Sequence, residues 1–286
     1  MHSSAYVLDM PETRSSCVVF ASPHSGRRYP DALLRHSVLG QHAIRSSEDA
    51  FVDQLFASAP AHGAPLIAAA MPRAYLDLNR SAEELDPALI QGARRQGHNP
   101  RVASGLGVIP RVVANGRAIY RGKLTMDEAR LRIDTYWRPY HTRLKSLLLE
   151  SHKQFGHAIL VDCHSMPHEA VALSGPTNSK HPEIVLGDRF GASAAPEIVD
   201  HIESAFVAAG FRVARNAPFA GAYVTQTYGR PMRNQHAVQI EIDRALYMDE
   251  DRIEPNANFL NFRQVLQDVI SDICRLCQNQ TPLAAE

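Results

Sequence analysis

Short apolar runs that stop in polar, turn-forming residues alternate along this chain with longer stretches of helical periodicity. Cys17-Val18-Val19-Phe20-Ala21 and Ile159-Leu160-Val161 read as buried strands, the second ending in Asp162-Cys163-His164-Ser165. Pro65 to Met71, Glu183 to Asp188, Phe211 to Ala214 and Ala237 to Arg244 are further strand candidates. Val108 to Val113 and Arg117 to Tyr120 flank Asn115-Gly116, a pair that predicts a hairpin because it accepts positive φ. The segment Ser46 to Ala59 predicts a helix, with Glu48 and Asp49 in its first turn and Phe51, Val52, Leu55 and Phe56 on its apolar face. A capping box at Thr125-Met126-Asp127-Glu128 opens a long helix to about Phe155, which Pro139 should bend. Its apolar face includes Tyr136, Trp137, Tyr140, Leu144 and Leu147, read as core. Pro196 to Ala209 and Asn256 to Cys277 are amphipathic helices. Strands alternating with helices predict an α/β fold: a single domain over residues 1–286, with a mixed, mostly parallel sheet and helices on both faces. The irregular stretch from Glu83 to Pro110 is long enough to be expected to serve function.

Composition narrows the classes. Thirty Lys and Arg balance thirty Asp and Glu, so nothing favours nucleic acid or an anionic membrane as partner. No apolar run reaches membrane-spanning length, and Met1-His2-Ser3-Ser4 does not open a signal peptide. Cys17 and Cys163 fall in buried strands, where free cysteine acts as a small hydrophobe. Cys274-x-x-Cys277 has no second pair to make a zinc site. A reduced, cytoplasmic protein is the expectation. The fourteen histidines are mostly scattered among polar neighbours and expected at the surface.

Against that background two strand ends stand out. Ser22-Pro23-His24-Ser25-Gly26 follows one buried strand and Asp162-Cys163-His164-Ser165 another, each offering a histidine followed by serine where α/β folds bind ligands. Asp162 shares a face with His164 and is placed to orient its ring. Two imidazoles, one carboxylate from Glu48 or Asp49 and an open position for water make a catalytic zinc arrangement. Neighbouring helix residues point about 100° apart, so one of the two acids, Glu48 or Asp49, is expected to serve. Arg73 and Arg80 offer planar forks for a carboxylate, with ion pairing to Asp77 as the competing role. Tyr228 and Arg230 are placed near a ligand by a turn-rich stretch. Glu241 lies inside an apolar strand, where a carboxylate is costly unless paired or used, and is the candidate general base.

The segments Ser22-Pro23-His24-Ser25-Gly26, Glu48-Asp49-Ala50-Phe51-Val52-Asp53, Asp77-Leu78-Asn79-Arg80, Asp162-Cys163-His164-Ser165-Met166-Pro167, Leu186-Gly187-Asp188 and Gln239-Ile240-Glu241-Ile242-Asp243-Arg244 resemble, in order, those of the N-formylglutamate amidohydrolases. The resemblance runs from about residue 17 to 265. It implies zinc-dependent hydrolysis of N-formyl-L-glutamate to glutamate and formate, a step of histidine degradation. It also implies kinship with zinc carboxypeptidases and aspartoacylases, and hence their phosphorylase/hydrolase-like fold. In those relatives a glutamate follows the first metal histidine by three residues; here Arg27 stands there, so the acidic ligand must come from Glu48 or Asp49. Asn79 and Arg80 would hold one substrate carboxylate, and Arg73, Arg215 and Arg230 are candidates for a second. A hydrolase of another N-acyl amino acid, or a metal- or small-molecule-binding protein without catalysis, would share much of this pattern.

Overall fold

In the computed structural model, which describes residues 4–94, 97, 99–172 and 181–277, the apolar runs assemble into one seven-stranded sheet. Its strands are β1 (Tyr6–Asp9), β2 (Val18–Ser22), β3 (Leu66–Ala69), β4 (Ala158–Met166), β5 (Ile184–Gly187), β6 (Val213–Arg215) and β7 (Gln235–Asp243). They lie in the order β1-β3-β2-β4-β7-β5-β6. β4 pairs in parallel with β2 and with β7, β5 with β6, while β5 runs antiparallel to β7. The fold is therefore mixed α/β with a mostly parallel sheet.

Strands on both sides, in the middle of the sheet, explain why β2 and β4 are buried at every position. β4 is longer than its apolar run. It continues through Asp162-Cys163-His164-Ser165 to Met166, because β7 pairs with all nine of its residues. Asp162 and His164 thus belong to the strand itself, where their polarity must be matched by neighbours. The alternating, half-exposed β1 went unpredicted.

By proximity of backbone the described chain falls into two compact units. One draws on the chain up to Val7, Ser22–Ala50 and Ala68–Leu144; the other on Leu8–Ala21, Phe51–Ile67 and the chain from Lys145. In the first, Thr125 caps the helix Met126–Arg132 by accepting from the Glu128 N–H at 3.1 Å. A π-helical turn, Ile133–Trp137, then leads into the helix Arg138–Phe155. Pro139 lacks an N–H and crowds the carbonyl four residues before it, so widening the preceding turn accommodates it. In the second, the helices Pro196–Ala208 and Phe259–Cys274 bury Ile198, Ile202, Phe206, Phe262, Leu266 and Ile270.

Three expected elements differ. The helix over 46–59 is absent: a 3-10 turn at Ala43–Ser47 gives way to extended backbone at Glu48, and Phe51, at φ 68°, precedes a helix of only Val52–Leu55. The hairpin reduces to a 3-10 turn at Ala114–Gly116 with a single antiparallel bridge, Val112 to Ala118. The stretch 83–110 contains the short helix Pro100–Ala103, and its residues 95, 96 and 98 lie outside the described ones.

Cys163 and Cys274 are free and buried, but Cys17 is disulfide-bonded, which corrects its reading as a free thiol. Ser16 donates to the Cys274 carbonyl at 3.0 Å, so the cysteine-bearing carboxy-terminal segment runs beside it. Besides His24 and His164, the histidines His141, His157 and His236 are buried, where most of the scattered ones were expected at the surface. Among the described residues no helix is long and apolar enough to cross a membrane.

The turn after β2 depends on one close approach. A Cβ on Gly26 would lie 2.1 Å from the carbonyl oxygen of Met71, which is backbone and cannot swing aside. Gly26→Ala is therefore expected to destabilise the protein by about 1–3 kcal/mol, as overpacking does, read as a lower midpoint in urea unfolding.

Candidate metal centre

The turn Pro23–Gly26 holds His24 so that both ring nitrogens meet carboxylates. Nε2 lies 2.7 Å from Asp77 Oδ1, and Nδ1 lies 3.3 Å from Asp49 Oδ2. The Asp49 N–H donates to the His24 carbonyl at 3.1 Å, pinning the two backbones together. Asp77 is itself fixed: Oδ1 accepts the Asn79 N–H at 2.8 Å and Oδ2 accepts Arg73 Nε at 3.0 Å. Burial disfavours its charge, but His24, Arg73 and Arg80 outweigh burial and hold the carboxyl well below the usual range. A carboxylate on Nε2 keeps the proton there and turns the Nδ1 lone pair towards Asp49, the support given to a metal-binding histidine.

Glu48 goes elsewhere. In extended backbone neighbouring side chains point to opposite sides, and Glu48 accepts from Tyr29 Oη at 2.5 Å and from Arg45 at 3.1–3.3 Å. Burial, then Glu48, push the Tyr29 phenol pKa up, so it stays a donor. One acid of the pair faces His24, because the backbone is extended and not because it is helical.

On the paired strands, alternation places Asp162 and His164 on one face, with Asp162 Oδ2 3.0 Å from His164 Nε2. The parallel register sets Gln239 opposite Asp162 and Glu241 opposite His164. Partners in register share a face about 4.8 Å apart, so Glu241 stands beside the His164 ring. Gln239 Nε2 donates to Glu241 Oε1 at 2.8 Å, satisfying part of a buried carboxylate.

His24, Asp49 and His164 bring one ligand atom each to within 4.8 Å of one another, and all three are 2–3% exposed. Among the described residues this group is placed to hold a metal ion. The donor set fits: tetrahedral ligands about 2.1 Å from an ion lie roughly 3.4 Å apart, and His24 Nδ1 and Asp49 Oδ2 are 3.3 Å apart.

The arginines separate by partner. Arg73 is ion-paired with Asp77, its competing reading. Arg80 is buried and donates only to carbonyls, Nε to Leu106 at 3.0 Å and Nη1 to Asn79 at 3.3 Å, with no ion pair among the described residues. Burial lowers its pKa, and Asp77 opposes that. Arg215 is tied by surface ion pairs to Asp200 and Glu203 of the helix Pro196–Ala208. Exposed Arg230 donates to the carbonyls of Gln226 and Gly229, and Tyr228 is a buried residue of the short helix Tyr223–Tyr228. Neither joins the metal group. Sequence reasoning overlooked His141 and Trp137, whose only signal was an aromatic run read as packing.

A buried imidazole, carboxylate and imidazole beside a further carboxylate, on a mostly parallel α/β sheet, could hold a metal ion next to a group able to accept a proton. Residues 16–248 match the family model of N-formylglutamate amidohydrolase, and the chain belongs to that family. It is thus a hydrolase acting on an amide bond. N-formylglutamate deformylases of Pseudomonas putida and Pseudomonas aeruginosa are each 30% identical over 236 residues, covering 82% of both chains. The crystal structure of N-formylglutamate amidohydrolase from Ralstonia eutropha JMP134 superposes with a TM-score of 0.89 at 33% identity, covering 96% of this chain and 98% of that one. A gene product of Agrobacterium tumefaciens, 16% identical, shares the fold at a TM-score of 0.63.

Two expectations follow. Asp49→Ala should lose bound metal and Glu48→Gln should keep it, as measured by metal analysis of the purified variants. His141 is the second: burial pushes its pKa down to about 4, with its bond to the Leu78 carbonyl opposing. The folded chain then binds fewer protons than the unfolded one, so this residue's contribution is complete above pH 6.5 and lost as pH falls towards 4. The fall in melting temperature between pH 7 and pH 4.5 should accordingly be smaller in His141→Gln.

Proposed function

We propose that the protein hydrolyses N-formyl-L-glutamate to L-glutamate and formate, using a zinc ion held by His24, Asp49 and His164. The observation that carries this reading is Glu241 standing in register beside His164, next to the buried group. Family membership and the names of the deformylase relatives support the substrate. Zinc bound there would supply Lewis acidity and a water acidic enough to ionise near neutral pH.

The chain's residues supply the rest. Glu241 takes a proton from the attacking water, held in orientation by Gln239, and returns it to the leaving nitrogen as the C–N bond breaks. Asp77 and Asp162 keep the His24 and His164 rings in one tautomer and pose. Arg80, a buried cation whose protein partners are carbonyls, binds a substrate carboxylate together with Asn79. The reading places the enzyme in histidine degradation, in the cytoplasm.

Formate release from a panel of N-formyl and N-acetyl amino acids tests the substrate, with N-formyl-L-glutamate expected to be turned over fastest. His24→Ala should lose both zinc and turnover. Glu241→Gln should retain zinc while kcat falls by about 10²–10⁴-fold, the usual worth of a general base. Wild-type turnover in Glu241→Gln would remove it from the mechanism.

A further inference from the structure

Two side chains of the long helical region reach the backbone of the Asp77–Arg80 segment. Trp137 Nε1 donates to the Arg80 carbonyl at 2.9 Å, and His141 Nε2 lies 2.9 Å from the Leu78 carbonyl. Those carbonyls belong to the residues on either side of Asn79. The Trp137 and His141 rings pack together with centroids 4.1 Å apart, so the two donors form one unit. Their position is set by the π-helical turn Ile133–Trp137, whose last residue is Trp137 itself. An extra residue in a helical turn rotates everything after it by about 100° relative to a regular helix. The widened turn therefore determines which way Trp137 and His141 face. π-turns of this kind recur at functional sites.

Arg80 has few other restraints. Its guanidinium donates to two carbonyls and forms no ion pair among the described residues, while Asp77 and Glu84 act on its charge without a hydrogen bond. A long side chain held this way is aimed by the backbone from which it springs. We propose that Trp137 and His141 are positioning residues for substrate binding: by fixing the carbonyls of residues 80 and 78 they set the direction of the Arg80 guanidinium, and the π-turn exists in this chain to present them. This rests on the reading of Arg80 as the contact to a substrate carboxylate. Neither residue touches substrate, and each acts through the main chain.

The test compares Arg80→Ala, Trp137→Phe, His141→Phe and His141→Gln, measuring kcat and KM for N-formyl-L-glutamate, with thermal unfolding and zinc content as controls. Calorimetric binding of N-formyl-L-glutamate in a Glu241→Gln background reads the same contact without turnover. Trp137→Phe keeps an aromatic ring and removes only the donor, as His141→Phe does. Each should raise KM by roughly tenfold, the net worth of one hydrogen bond, with kcat within about twofold of wild type. His141→Gln, which restores an N–H donor, should bring KM back towards the wild-type value. A purely structural role predicts a different pattern: less folded protein, a lower apparent kcat and an unchanged KM. That pattern would overturn the proposal, as would equal KM values for His141→Phe and His141→Gln. If Arg80→Ala leaves KM and binding unchanged, or if wild type neither binds nor turns over the compound, the underlying assignment fails and the proposal falls with it. A raised KM in Arg80→Ala beside a wild-type KM in Trp137→Phe defeats the positioning role alone.

Discussion

A carboxylate can lie inside a protein only where an opposite charge or fixed hydrogen bonds replace the water it has lost. The site is arranged around that requirement. Asp77 accepts from His24, Arg73 and the Asn79 main chain; Asp162 meets His164; Glu241 accepts from Gln239. Each imidazole in turn has a carboxylate beside its Nε2, Asp77 for His24 and Asp162 for His164, which fixes the pose of the ring. Removing a partner would not simply delete an interaction. It would leave a buried charge uncompensated, which is why the polar groups here form a connected set.

The same logic distinguishes residues of like chemistry. Arg73 and Arg80 lie on one segment, yet one is ion-paired with Asp77 and the other donates its hydrogen bonds to carbonyls. Glu48 and Asp49 are adjacent acids, yet one is consumed by Tyr29 and Arg45 while the other faces His24. In both pairs like side chains are held by different partners, and it is the partner, not the residue type, that separates them.

Much of this was legible in the order of residues. β2, β4 and β7 follow from their apolar runs, and His24 and His164 stood out because each interrupts such a run. Glu241 was conspicuous as an acid inside an apolar strand. The segment 46–59 was misread because an acidic first turn and helical spacing of Phe51, Val52, Leu55 and Phe56 satisfy a local rule that long-range packing overrides. The left-handed backbone at Phe51 has no signature in its residue type. Whether Arg73 or Arg80 is free for ligand depends on the direction of Asp77, and Arg215 on a neighbouring helix, neither of which is a local property. Trp137 and His141 looked like packing because a periodic pattern assumes a regular helix, and the turn that redirects them is irregular.

The nine-residue pairing of β4 with β7 has a consequence for how this scaffold can change over time. Its side chains alternate with a period of two, so inserting or deleting one residue in either strand would send every later group through the sheet to its far side. Tolerance for altered length must then reside in the connections, while His164 and Glu241 stay locked to a common ruler. New specificities on this framework would arise by rebuilding loops around a fixed pair of strands.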